Sequence, residues 1–235
     1  MTLPKIEYPM FQLKVPSTEK KVRFRPFLVK EEKILLMAKE SEEEADILLA
    51  IKQVVNNCAM DDFDVNALTL FDLEYLFIHL RANSVNDTVQ VSYRDNEDNK
   101  VYDFEVPLKD VKVIFPENVS SKISISDSTG MVLKYPNTTL YEDKEFLKSG
   151  EDSFFQLIVR CMDKIYDADQ VYDCKNYNKK ELEEFLESLD VKSFEKVRDF
   201  MIGQPKLSYK INYVNELGND REIELTTLTD FFTLR

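Results

Sequence analysis

The chain has 235 residues and a net charge of −13, from 31 Lys and Arg against 44 Asp and Glu, which argues against phosphate backbones and anionic membranes as partners. Its 43% hydrophobic and 11% aromatic content excludes a disordered polypeptide, and no apolar run approaches the length of a membrane span. The N-terminus lacks the charged-then-apolar order of a signal peptide, and Cys58, Cys161 and Cys174 are too scattered for a disulfide framework or a C-x-x-C metal knuckle, so an unexported protein of a reducing cytoplasm is expected.

From the N-terminus, Phe11, Leu13 and Val15 alternate with Gln12 and Lys14. Pro16, Ser17 and Thr18 then turn the chain into Val22 and Phe24, which alternate with Lys21, Arg23 and Arg25; the pattern predicts a β-hairpin. Between Lys14 and Lys30 six cations (Lys14, Lys20, Lys21, Arg23, Arg25 and Lys30) stand against one acid, Glu19, a local charge of +5 that leaves −18 for the rest of the chain. Such a strip is either a solvated strand face or a docking surface for an acidic neighbour, a copy of the same chain included. Pro26 ends the strand, and Glu31 to Ala38 reads as a helix with acids in its first turn. Asp46 to Cys58 carries the stripe Ile47, Leu48, Ile51, Val54, Val55 and Cys58 of a buried helix. Thr69 opens a further helix to Leu80, with Asp72 three residues on as its capping-box partner. A longer hairpin follows, with Val89, Val91 and Tyr93 going out, a polar turn at Asp95 to Lys100, and Val101 to Val106 returning.

The second part repeats this order. Ile123 and Ile125, a turn at Asp127 to Gly130, and Met131 to Tyr135 before Pro136 give a hairpin; Phe154 to Ile165 gives a helix with Cys161 near the place of Cys58. Asn178 and Glu181 cap a helix bearing Leu182, Phe185, Leu186 and Leu189, and Ser193 to Met201 makes a short helix stopped by Gly203 and Pro205. Ile211, Tyr213, the turn Asn215 to Asp220, and Ile223, Leu225 close with a second long hairpin. The reading is an α+β fold built from a duplicated unit of hairpin, helices and hairpin, with half-repeats at 1–116 and 117–235, either separate or packed as one body. The helices are expected to share one core and the long hairpins to project as arms.

Chemistry is sparse. His79 has no second histidine to build a zinc site with, and four glycines, none adjacent, exclude a P-loop or a dinucleotide fingerprint. The acidic runs, Glu40 to Asp46 and Glu181 to Glu187, fall at helix starts and outward faces, and Asp163, Asp167, Asp169 and Asp173 lack the glycine and terminal glutamate of a calcium loop. No catalytic residue, cofactor or metal is expected; the cysteines read as packing residues and His79 as a surface or boundary residue. A structured acidic chain without catalytic apparatus points to contact with other proteins. The candidate contact residues are Arg23, Arg25, Phe27 and Lys30, with Asp230, Phe231 and Phe232 near the C-terminus; of the adjacent phenylalanines, one faces in and one out on extended chain.

The string VRFRPFLVKEEKILLMA from Val22 to Ala38 resembles the opening signature of the baseplate hub assembly proteins of T-even-type contractile-tailed bacteriophages, and IKQVVNNC, LTLFDLEYLFIHLRANSV and LTDFF extend the resemblance over nearly the whole chain. The resemblance implies a non-enzymatic tail-morphogenesis protein, a hub assembly factor or hub subunit made late in infection, with hub or tail proteins as partners and the host cytoplasm or the virion baseplate as its place. It also implies that relatives carry paired cysteines at the long hairpin tips, where this sequence has none. The competing readings are a hub-associated hydrolase and an unrelated acidic protein-binding module.

Overall fold

The computed structural model describes residues 7–41, 44–143 and 153–231. The alternation at the N-terminus forms the hairpin β1 (Phe11–Lys14) and β2 (Lys21–Phe24), with Phe11 opposite Phe24 and Leu13 opposite Val22 on one face, and Gln12 opposite Arg23 and Lys14 opposite Lys21 on the other. Helix α1 (Val29–Ser41) is packed against α2 (Glu44–Cys58), and α3 (Leu70–Ala82) follows. Thr69 caps α3 through the predicted box with Asp72. The fully buried Asp72 carboxylate also accepts from Ser17 N–H at 2.8 Å and Ser17 Oγ–H at 2.6 Å, so one side chain ties the tip of the first hairpin to the start of α3.

Helix α3 is apolar nearly all round because it serves two clusters. Leu73, Leu76, Phe77 and Leu80 bury with Val22, Phe24, Ile51, Val54, Val55 and Cys58, while Ile78 and Ala82 bury with Val91, Val106, Leu108 and Val111. The latter come from the hairpin β3 (Thr88–Arg94) and β4 (Val101–Pro107) and the segment leading into β5 (Lys112–Ile114). His79, read from sequence as a surface or boundary residue, is buried; its Nε2 lies 3.0 Å from Val111 O, and burial lowers its pKa.

Residues 115–205 form a separate compact unit. Its sheet runs β6 (Lys122–Ser124), β7 (Thr129–Leu133), β8 (Met162–Asp167), β9 (Gln170–Asp173) in that spatial order, all antiparallel. Gly130 is required by closeness: a Cβ there would stand 2.1 Å from the Tyr166 hydroxyl oxygen and 2.6 Å from Ile123 O. Helices α4 (Ser153–Cys161), α5 (Lys179–Glu187) and α6 (Val191–Ile202) bury Ile158, Cys161, Leu182, Leu186, Val197 and Phe200 with Ile123, Met131 and Leu133. The Asn178–Glu181 capping box forms as predicted. The helix expected through Ile165 instead stops at Cys161, and Met162 onward is strand.

The chain then returns to the first unit. Strand β10 (Lys206–Val214) pairs with β11 (Asp220–Leu225) and, through Lys206 to Ser208, with β5; helix α7 (Leu228–Phe231) follows. Leu207, Ile211, Leu225 and Phe231 complete the cluster beneath Ile78, so the compact units are 1–114 with 206–235, and 115–205, rather than the sequence halves 1–116 and 117–235. The helices read as sharing one core bury in clusters that each lie within one unit, because the final hairpin finds its apolar partners beside β5. The cysteines are buried and unpaired as disulfides, and burial pushes the Cys58, Cys161 and Cys174 thiols up to about 11, about 12 and about 11.

Candidate contact surface

The basic strip divides when it folds. Period-two alternation sends Phe11, Leu13, Val22 and Phe24 into the core and leaves Lys14, Lys21 and Arg23 on the outer face of the β1–β2 hairpin. Lys14 stands directly opposite Lys21, a repulsive placement that the ion pair between Lys14 and Glu19 relieves. Arg23 is half exposed and held by Asp61: its N–H bonds Oδ2 at 2.7 Å, and Nε and Nη2 bond Oδ1 at 2.8 and 2.6 Å. That bonding raises the Arg23 pKa and lowers that of Asp61. Lys20 reaches Asp62 O at 3.2 Å. Lys30 is exposed and 3.6 Å from Glu31.

Arg25, next after Arg23 in the alternation, has a different task. Its guanidinium bonds both oxygens of the fully buried Glu31 at 2.9 and 3.2 Å, and bonds Asn57 O at 2.9 Å and Pro26 O at 3.0 Å. Burial works to raise the Glu31 carboxyl, and bonds from Arg25 and Leu28 N–H outweigh it and hold the carboxyl below its ordinary value. With 14% of its side chain exposed, Arg25 is a clamp between β2, α1 and α2. Phe27 is partly buried against Phe77, ring centroids 5.8 Å apart, with its N–H on Ser84 Oγ at 2.9 Å.

At the C-terminal end, Asp230 accepts from Thr226 and Thr227 N–H, both at 2.8 Å, and so caps α7, while Phe231 is fully buried. Phe232 lies outside the described residues. Glu74 of α3 meets this segment: Oε1 is 3.5 Å from Leu228 N, and burial, with the Asp230 charge adding to it, pushes its carboxyl up to about 7.

The tips of the two long hairpins, open in sequence to roles as contact points or plain turns, are laced to each other. Tyr213 OH donates to the buried Asp95 carboxylate, Asn215 Nδ2 and Asn219 Nδ2 donate to Glu97 at 2.7 and 2.8 Å, and Arg221 Nη2 donates to Asn96 Oδ1 at 2.6 Å. In the unit 115–205, a cleft of about 250 Å³ is lined by Lys134, Asn137 and Thr139, and its one carboxylate, Asp143, pairs with Arg160 at 2.5 Å. Acid pairs converging on a cleft, as glycoside hydrolysis requires, are not the character of that site. Among the described residues no cluster of three or more His, Cys, Asp or Glu is placed to hold a metal ion, and no helix is long and apolar enough to cross a membrane.

Sequence reasoning passed over Val29, Leu36 and Met37, which stand 86%, 58% and 62% exposed on α1. The signal was the run Ile34-Leu35-Leu36-Met37: four successive apolar residues span every side of a helix, so two must face out.

Residues 8–233 match the family of the T4 bacteriophage base plate protein, and the chain belongs to that family. Its role therefore lies in the structure or assembly of a phage baseplate, in company with other tail or baseplate proteins. No curated protein and no solved structure matches the chain.

Proposed function

We infer that the chain is a non-enzymatic factor of baseplate hub assembly, acting in the host cytoplasm by holding other hub or tail proteins, with retention as a hub subunit as the variant of the same role. The supporting observation is the outer face of the β1–β2 hairpin, where Lys14, Lys21 and Arg23 stand exposed on a chain of net charge −13. A cationic patch on an acidic body selects acidic partners and fixes the orientation in which they arrive. Lys30, exposed at the start of α1, adds to the patch, whereas Arg25, Phe27, Asp230 and Phe231 act on a partner only by shaping the surface around it.

The test is co-purification of the chain with the hub and tail proteins of its own phage, comparing wild type with Lys14→Glu/Lys21→Glu. Both lysines are exposed, so the variant reverses the face, and circular dichroism checks that it keeps the fold after losing the Lys14–Glu19 pair. Loss of hub proteins from the eluate is the expected result; full retention would sink the basic-face reading, and release of cell-wall fragments by the purified chain would replace it with a hydrolase. Mass spectrometry of purified virions separates the factor that leaves from the subunit that stays.

A further inference from the structure

Helix α1 has two opposite faces. Glu31, Ile34, Leu35 and Ala38 turn inward, and Ile34 and Leu35 pack on the cluster formed with the first hairpin and α2. At about 3.6 residues per turn, Val29, Lys33, Leu36 and Glu40 fall on one outward stripe with Met37 beside it. All five are exposed. Isolated exposed apolar side chains are ordinary, but Leu36 on that stripe and Met37 beside it form an adjacent exposed pair, with Val29 two turns away on the same stripe.

The order of residues on that stripe narrows what covers it. Reading Lys33-x-x-Leu36-Met37-x-x-Glu40 from either end gives the same spacing, with Leu36 exchanged for Met37 and Lys33 for Glu40. A two-fold axis through the point between Leu36 and Met37 performs the same exchange, since an isologous contact sets residue i against j and j against i. Two antiparallel copies of α1 in this register place Leu36 against the second copy's Met37 twice, and Lys33 against its Glu40 twice. An acidic partner would satisfy Lys33 and leave Glu40 opposed, and a basic one the reverse. A second copy satisfies both.

We propose that the outward face of α1 is a self-association surface, on which two copies of this chain pair antiparallel about Leu36 and Met37 with Lys33 and Glu40 joined across the axis at both ends. The contact is small, of the kind that forms transient dimers and concentrates weak partners at an assembly site. It does not depend on which hub role the chain fills.

Sedimentation velocity and light scattering on the full chain, over a concentration series to about 1 mM, test it. The mass rises from that of one 27.6 kDa chain towards two. Lys33→Glu alone sets acid against acid at two places, Glu40→Lys alone sets base against base, and each raises the dissociation constant roughly tenfold. Lys33→Glu/Glu40→Lys exchanges the partners and restores the wild-type constant. Leu36→Asp holds the chain monomeric, and circular dichroism confirms the fold of each variant. A mass of one chain throughout the series overturns the proposal. So does a dimer indifferent to the single reversals, or a double variant whose defects add.

Discussion

Glu74 offers the clearest pH-dependent test of how the C-terminal segment is held. Its carboxylate sits on α3 beneath α7, 3.5 Å from Leu228 N, with the Asp230 carboxylate nearby; burial first and that charge second raise its pKa from 4.5 to about 7. A folded-state value above the unfolded one means that the folded protein binds the proton more tightly. The stability it supports is therefore fully present below about 4.5, falls as pH rises, and is lost above about 7. Replacing the group with Glu74→Gln removes the titration while keeping a carbonyl to accept from Leu228 N–H. Relative to wild type, the variant should gain about 2–3 kcal/mol between about pH 5 and about pH 8, from the gap between the two pKa values. Urea unfolding of both proteins, followed by far-ultraviolet circular dichroism at several pH values, reads this as a midpoint difference that widens with pH. A difference that stays flat across the range, or narrows towards high pH, would refute the assignment of a buried, proton-binding Glu74 to the α7 dock.

Three further outcomes follow from the packing. Asp72→Ala strands the Ser17 and Thr69 donors and removes the reciprocal half of the α3 capping box, and should cost about 3 kcal/mol in urea unfolding; a loss below about 0.5 kcal/mol would contradict the tie between hairpin and helix. Arg25→Met leaves Glu31 buried without its guanidinium and should cost about 3 kcal/mol, whereas Arg23→Met removes only the guanidinium bonds to the partly exposed Asp61 and should leave the unfolding midpoint nearly unmoved; equal costs would mean that the two arginines are not divided into clamp and surface. The three thiols, buried and held protonated by pKa values of about 11, about 12 and about 11, should resist iodoacetamide at about pH 8 in the native chain and react together once urea unfolds it. Rapid native labelling of one of them would place that cysteine at a surface.

Local signals were legible in the residues and long-range ones were not. Thr69 with Asp72 and Asn178 with Glu181 announce their helices because the capping box is written within four residues, and Phe11 to Phe24 announces its hairpin because the register follows from alternation. The β8–β9 hairpin was hidden by its turn: Ala168 takes the left-handed conformation, φ 45°, in a place where glycine or asparagine usually signals it. Pairing of β10 with β5 joins Lys206 to Ile114, and nothing in either segment points to the other. The site followed the same division. Alternation located the exposed face of Lys14, Lys21 and Arg23, but the fate of Arg25 depended on Glu31, whose burial no local pattern reveals, and Phe231 is claimed by a cluster assembled from distant strands, while Asp230 is taken by a local cap on Thr226 and Thr227.

The hydrogen bonds support the duplicated reading on firmer ground than the turns did. Matching the hairpins by sequence gives offsets of 111 for the turn residues Ser17 and Ser128, 110 for Pro26 and Pro136, and 120 for the strand residues Val91 and Ile211. Matching bonds gives one number outside a single stretch. Arg25 N–H and Lys134 N–H donate to the carbonyls of Cys58 and Cys161 at 3.0 and 2.8 Å, and the neighbouring Phe24 and Leu133 bridge to Ala59 and Met162. Further on, Asp64 caps Asn66 N–H and Asp173 caps Lys175 N–H, each at 3.0 Å, five residues before the caps Thr69 and Asn178. From Phe24 and Leu133 to Asp72 and Glu181 these pairs keep an offset of 109, except for Cys58 with Cys161 and Ala59 with Met162, which stand at 103. The departure has a cause: Cys58 lies six residues before Asp64 and Cys161 twelve before Asp173, and the extra six supply the β8–β9 hairpin. Arg25 to Cys58 spans 33 residues and Lys134 to Cys161 spans 27, so the length gained after the helix equals the length lost before it. Independent helices and turns, each placed by its own packing needs, have no reason to return to the same offset after such a gap, whereas two copies of one unit return to it as soon as the altered segment has passed.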